Sequence, residues 1–288
     1  MRLGTCIPDD ESTYANGEYS LDRALDLMAE SGICGCMTNF PSDEPQWERS
    51  SRVLAASLRR SGVTLLEYNL PFFIPAASRE QCLSVARRIV EALALAESIG
   101  CLNVVACVAN AAGLLPDPRS RSRDYAEALK DTCDRVAEEA GRRGLRARLL
   151  IEMVYTTAIW SPEALARLVD EIGSPNVQGH MDVVNCLTFD NIYSHAQFVR
   201  EAFDALHGRI CSAHLKDVSP AESYLPGLRD DLVGDGVMDL RTYLECLGRL
   251  PNDFPVVIEH MHARADIERS YRRIVAIADD LSLPVWSD

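Results

Sequence analysis

The chain of 288 residues is 47% hydrophobic and 25% charged, a balance that buries a sizeable core and excludes a disordered or fibrous class. With 43 acidic against 29 basic residues its formal net charge is −14, which opposes the phosphate backbone of nucleic acid and the anionic face of a membrane, so neither is expected as a partner. Ten cysteines without a C-x-x-C pair give no disulfide framework or zinc knuckle, and no apolar leader or ~18-residue apolar run appears, so a reducing, cytoplasmic setting is expected.

Short apolar runs alternate with longer amphipathic segments along the whole chain. Strands are expected at Leu3–Ile7, Ile33–Thr38, Val63–Tyr68, Leu102–Val108, Arg148–Met153, Val177–Asp182, Ile210–Leu215 and Pro255–Glu259. Helices are expected at Leu21–Glu30, Gln46–Arg60, Arg79–Ser98, Arg123–Ala140, Pro162–Glu171, His195–Leu206, Leu240–Leu250 and Asp266–Asp280. Ser20, Ser78 and Ser161 (followed by Pro162) are helix-start signals, while Gly32, Gly62, Gly100, Gly144 and Gly173 stand where a left-handed C-cap would end each helix. Eight strands alternating with eight helices imply an α/β fold: a single (β/α)₈ TIM barrel over residues 1–288. The loop from Pro8 to Tyr19, long and polar for such a connection, is either a mobile lid or a solvated insertion.

A barrel of this kind places its chemistry at the C-terminal strand ends. Strand five ends on Glu152, strand six on Asp182, strand seven on His214 and strand eight on Glu259, each closing an apolar run. Charged groups are seldom set in apolar runs unless paired or metal-bound. Alternation puts Leu150 with Glu152, His180 with Asp182, Ser212 with His214 and Val257 with Glu259, so one inward parity serves all four. Rim salt bridges would explain any one of these groups, but four together point to one divalent cation. Three carboxylates and an imidazole suit Mn²⁺ best, with Mg²⁺, Co²⁺ or Zn²⁺ also compatible.

The runs Ile151-Glu152, Met181-Asp182-Val183-Val184-Asn185, His214-Leu215-Lys216-Asp217, Gly234-Asp235-Gly236-Val237-Met238-Asp239 and Val257-Ile258-Glu259-His260 resemble the xylose isomerase-like superfamily of sugar isomerases and epimerases. That group includes tagatose 3-epimerase, hydroxypyruvate isomerase and inosose dehydratase relatives. The resemblance covers nearly the whole chain and implies metal ligands at Glu152, Asp182, His214 and Glu259, with Glu152 and Glu259 as the acid/base pair. It makes Gly234, Gly236 and Asp239 structural. Two positions depart from the ketose 3-epimerase branch, where a histidine is expected at Asn185 and an arginine at Pro220.

Further pocket candidates are Asn185, Lys216, Glu67, Asn69, Trp47, Phe72 and His262. Lys216 either touches an oxyanion or pairs with Asp217; Glu67, Asn69 and Asn39 bind sugar hydroxyls or make rim hydrogen bonds. Trp47, Phe72, Phe73 and Trp160 form an aromatic wall or simply pack against the barrel top. His180 reads as a hydrogen-bonded core histidine and His260 as surface-exposed. Arg119, Arg121 and Arg123 read as a solvated helix entry.

The function expected is proton abstraction next to a carbonyl of a small-molecule sugar or keto-polyol, through an enediolate, by an isomerase or epimerase. A lyase of the same barrel, dehydrating or eliminating from a keto sugar or glycoside, is the alternative. An endonuclease IV-like repair nuclease is remote, because its three-zinc cluster needs more ligands than six histidines and this acidic chain supply. A homodimer or homotetramer is the expected assembly, and a non-catalytic sugar-binding barrel would be the reading if no turnover were found.

Overall fold

A computed structural model describes residues 1–15, 18–75, 79–110, 113–221 and 227–286. Its barrel strands are β1 (Arg2–Cys6), β2 (Gly35–Asn39), β3 (Thr64–Phe73), β4 (Asn103–Val108), β5 (Arg148–Glu152), β6 (Val177–Met181), β7 (Ile210–Leu215) and β8 (Pro255–Ile258). Helices α1 (Leu21–Glu30), α2 (Trp47–Ser61), α3 (Arg79–Ser98), α4 (Arg123–Arg142), α5 (Pro162–Ile172), α6 (His195–Ala205), α7 (Leu240–Leu247) and α8 (Arg264–Asp280) follow them in alternation. Each strand pairs in parallel with its sequence neighbours, and β1 closes the ring on β8, Leu3 opposite Val256. The expected (β/α)₈ TIM barrel is therefore what the chain forms.

Local sequence explains the units. In α5, Ser161 caps the first turn by accepting from Ala164 N–H, Pro162 takes the position where no N–H is needed, and Gly173 ends the helix at φ 61°. Leu165, Leu168 and Val169 face inward at helical spacing while Glu163, Arg167 and Asp170 stay exposed. Burying each such side chain contributes roughly 1.5–3 kcal/mol before chain entropy is counted. Ser20 caps α1 in the same way; Ser78 lies outside the described residues.

Most of the core fills the annulus between strands and helices, and a smaller cluster of Met37, Leu66 and Val257 fills the barrel interior. Leu66 explains Gly4 and Gly35: a Cβ on either would stand within 2.8 Å of its Cδ1.

Strand β3 runs past the expected end at Tyr68 to Phe73. The extension carries a register shift between Leu70 and Phe72. In the Pro8–Tyr19 connection, Glu11–Thr13 form a 3₁₀ turn and Tyr14–Ala15 pairs with Glu18–Tyr19. Asp9 N–H donates to His262 O at 2.9 Å and Asp10 accepts from Arg264 N–H, so this segment is tied to the β8–α8 connection; residues 16–17 lie outside the described set. None of the ten cysteines forms a disulfide, and no helix among the described residues is long and apolar enough to cross a membrane.

Candidate metal centre

The C-terminal ends of β5 to β8 bring Glu152, Asp182, His214 and Glu259 to one point. His214 Nδ1 lies 3.0 Å from Glu259 Oε2, 3.5 Å from Asp182 Oδ2 and 3.7 Å from Glu152 Oε1. One donor atom from each of the four lies within 4.8 Å of all the others. For a cation with bonds of about 2.1 Å, neighbouring octahedral ligands stand ~3 Å apart and opposite ones ~4 Å, the scale seen here.

The donor set carries a second sign of fit. Asp182 Oδ2, His214 Nδ1 and Glu259 Oε2 are buried and accept or donate no directed hydrogen bond. Buried polar atoms are normally paired, because an unpaired one costs about 1–3 kcal/mol. Three such atoms converging on Glu152 are able to hold a metal ion.

Lys216 Nζ stands among them, 2.7 Å from Asp182 Oδ2, 2.6 Å from Glu259 Oε2 and 3.8 Å from Glu152 Oε1. These are charge contacts rather than aligned hydrogen bonds, since the two nearer oxygens have no directed partner. Burial alone would raise the Asp182 pKa, but Lys216 and then His214 hold it well below the carboxylate range. Burial opposes the charged forms of His214 and Lys216 too; surrounding carboxylates, Glu259 first for His214 and Asp182 first for Lys216, raise both pKa values instead. Lys216 thus faces the carboxylates and not Asp217.

Asp217 has a different task. Its carboxylate accepts from the backbone N–H groups of Val218, Gly234, Gly236 and Met238 at 2.8–3.1 Å, folding the segment after β7. A Cβ on Gly236 would lie 2.2 Å from Asp217 Oδ1, and Gly234 adopts φ 94°. Asp239 caps α7 by accepting from Thr242 N–H.

Beneath the cluster, Glu67 is fully buried and its Oε2 lies 2.9 Å from His214 Nε2. His180, also fully buried, shares a 2.8 Å hydrogen bond with Ser212 Oγ and sits 3.7 Å from Glu67 Oε1. Burial, then the neighbouring His214, pushes the His180 pKa down to about 3, which keeps it neutral in the core as expected.

A cavity of about 210 Å³ opens above, lined by Glu152, Glu259, Asn69, Asn185, Lys216 and Asn39 among others. Asn185 Nδ2 donates to Glu152 Oε1 at 2.8 Å, and Asn185 Oδ1 faces Lys216 Nζ at 3.3 Å. The remaining pocket candidates fall elsewhere. Glu67 lies below the cavity as a partner of His214. Trp47 packs against Phe40 with ring centroids 4.9 Å apart and donates its indole N–H to Pro41 O, because it opens α2 facing inward. Phe72 is 43% exposed and does not line the cavity; nor does His262, which is exposed. Trp160 stacks on Arg121 on the outer rim, 4.7 Å from the guanidinium.

Two further polar residues line the cavity. Cys107, from the apolar run of β4, donates its thiol to Glu152 Oε2 at 3.0 Å, and burial and then Glu152 keep the thiol pKa well above its ordinary value. Its parity with Val105 at the end of β4 is the signal that could have found it. His260 is exposed, as expected, and also lines the cavity from a left-handed backbone at φ 63°. Asp230, from the antiparallel pair Asp217–Pro220 and Leu228–Asp231, holds its Nδ1 at 3.0 Å and raises its pKa by that hydrogen bond.

The family model "Xylose isomerase-like TIM barrel" matches residues 22–279. No curated protein matches the chain by sequence. Among solved structures, a D-tagatose 3-epimerase-like protein superposes with a TM-score of 0.73 at 18% identity, covering 98% of each chain. The IolI protein with a bound zinc atom gives 0.68 at 17% identity, again over 98% of each. The probable 3-DHS dehydratase AsbF of Bacillus anthracis gives 0.71 at 13% identity, over 96% of this chain and 99% of that one. At these identities the likeness is one of fold.

Proposed function

Because this chain belongs to the xylose isomerase-like TIM barrel family, we propose that it is a divalent-cation-dependent enzyme removing a proton next to a carbonyl of a sugar or keto-polyol. An isomerase or epimerase passing through an enediolate is the form we favour. The observation that carries this reading is the convergence of Asp182 Oδ2, His214 Nδ1 and Glu259 Oε2, none with a directed hydrogen bond, beside Glu152 at the floor of the cavity. These four residues would hold one cation, Mn²⁺ by preference; the zinc in IolI supports a metal without fixing its identity. When bound, it supplies positive charge against the negative charge that develops on the substrate's oxygens.

The chain's own groups do the proton work. Glu152 and Glu259 come from strands three apart in the ring, so one removes the carbon-bound proton and the other returns it. Glu152 is oriented by Asn185 on one oxygen and Cys107 on the other. Lys216 and Asn185 line the cavity where a substrate hydroxyl or oxyanion would meet them. Return to the same carbon gives an epimer, return to its neighbour an isomer, and loss of a β-substituent an elimination. The dehydratase among the similar folds supports that lyase as the second reading.

Solvent exchange tests the proposal. With keto sugars in D₂O and Mn²⁺, the wild type should incorporate deuterium next to the carbonyl, while Glu152→Gln and Glu259→Gln each slow this by about 10²–10⁴-fold yet keep cation. Exchange at the wild-type rate in both variants would sink it. Assembly as two or four copies belongs to the same reading, with Leu115, Phe189 and Tyr193 as exposed apolar material; a monomeric mass by light scattering would remove it.

A further inference from the structure

Another cavity lies at the other end of the barrel. About 610 Å³ opens at the N-terminal mouth, where Arg2 begins β1 and Arg148 begins β5. Arg249 from the α7–β8 connection and His207 from the α6–β7 connection complete a basic rim, against one acid, Asp253, while Phe254 supplies apolar wall. This reverses the sign of a chain whose net charge is −14.

The helices run antiparallel to the strands, so their C-termini lie at this mouth and favour cations on its surface. That accounts for exposed arginines, but not for Arg148. Its Nη1 donates to Cys211 Sγ at 3.0 Å, a weak acceptor, and its Nε is buried with no partner at all. A guanidinium held without a carboxylate is costly, and its planar fork matches phosphate and carboxylate oxygens. Arg2 makes no ion pair among the described residues, and the Arg249 pair with Asp204 is loose at 3.7 Å with both groups exposed.

We propose that this mouth is a binding site for a small, multiply charged anion, a phosphate ester or a polycarboxylate, gripped by Arg148, Arg2 and Arg249. The volume suits a metabolite-sized ligand, and the mixed wall suits one with an anionic head and a less polar body. The site is separate from the proposed metal centre and does not depend on it.

Titration calorimetry with inorganic pyrophosphate, and separately with citrate, tests this with EDTA present so that no cation carries either anion to the opposite mouth. The wild type should give saturable binding of one anion per chain, above any heat from NaCl at matched ionic strength. Binding should weaken at least tenfold in Arg148→Gln and also in exposed Arg2→Gln, and be unchanged in Asp182→Asn. Preference for pyrophosphate assigns a phosphate-bearing ligand, and preference for citrate a polycarboxylate. No saturable binding of either anion, or binding as tight as wild type in both arginine variants, overturns the proposal.

Discussion

Glu67 Oε2 stands 2.9 Å from His214 Nε2, so a carboxylate from the far side of the barrel decides which nitrogen of that imidazole faces the cluster. A buried acceptor at Nε2 keeps a proton there, so a cation that displaces the other proton would meet an Nδ1 lone pair aimed toward Asp182 and Glu259. Glu67→Ala should therefore weaken cation binding by about 10–100-fold, and Glu67→Gln, whose amide oxygen still accepts, by less. Competition titration with a chelating dye measures both. Equal affinity in wild type and alanine variant, with the circular dichroism unchanged, would make Glu67 a packing residue only.

Asp182→Asn tests the ligand set itself. Asp182 is fully buried, and the substitution removes the negative charge that faces Lys216 and the cation position together. Metal content by elemental analysis after dialysis against Mn²⁺ should fall from about one ion per chain to a small fraction. Full occupancy in the variant would take Asp182 out of the ligand set.

An acid-sensitive staple lies on the helix layer. Glu97 on α3 accepts from Ala147 N–H at 2.9 Å and Arg146 N–H at 2.8 Å, pinning the connection into β5, and the Ala147 bond leads the depression of its pKa. With the folded value below the unfolded ~4.3, the native chain binds fewer protons in between. The stabilisation is present above that value and fades as pH falls through the folded one. In thermal melts, wild type should exceed Glu97→Gln near pH 6, and the gap should shrink toward pH 3.5. A gap that widened on acidification would reverse the assignment.

The element count was legible because several helices are punctuated: Gly62 and Gly173, expected as left-handed caps, sit at φ 75° and 61°. The convergence of Glu152, Asp182, His214 and Glu259 was legible because each is a charged or imidazole group closing an apolar run. Depth was not. Inward parity assigns Glu67 and Asn69 alike, yet one lies under His214 and the other lines the cavity, since alternation says which way a side chain points and not which layer it occupies. Trp47, read as a candidate wall, is turned inward by the helix it begins. The position of His260 depends on Asp230, from a strand pair that short polar runs do not announce. Cys107 was hidden by its own hydrophobicity in an all-buried strand.

The four N–H groups gathered by Asp217 divide the labour between neighbouring stretches of chain. Both ends of the excursion from Val218 to Met238 are clamped to the residue three beyond His214, so the excursion can change in length or sequence without re-aiming the imidazole. New specificities could arise there by exchanging an insert while the reacting groups keep their alignment. Asp217→Ala, by contrast, should release the excursion as a unit, loosening the grip of Asp230 on His260 while the strand beneath stays paired.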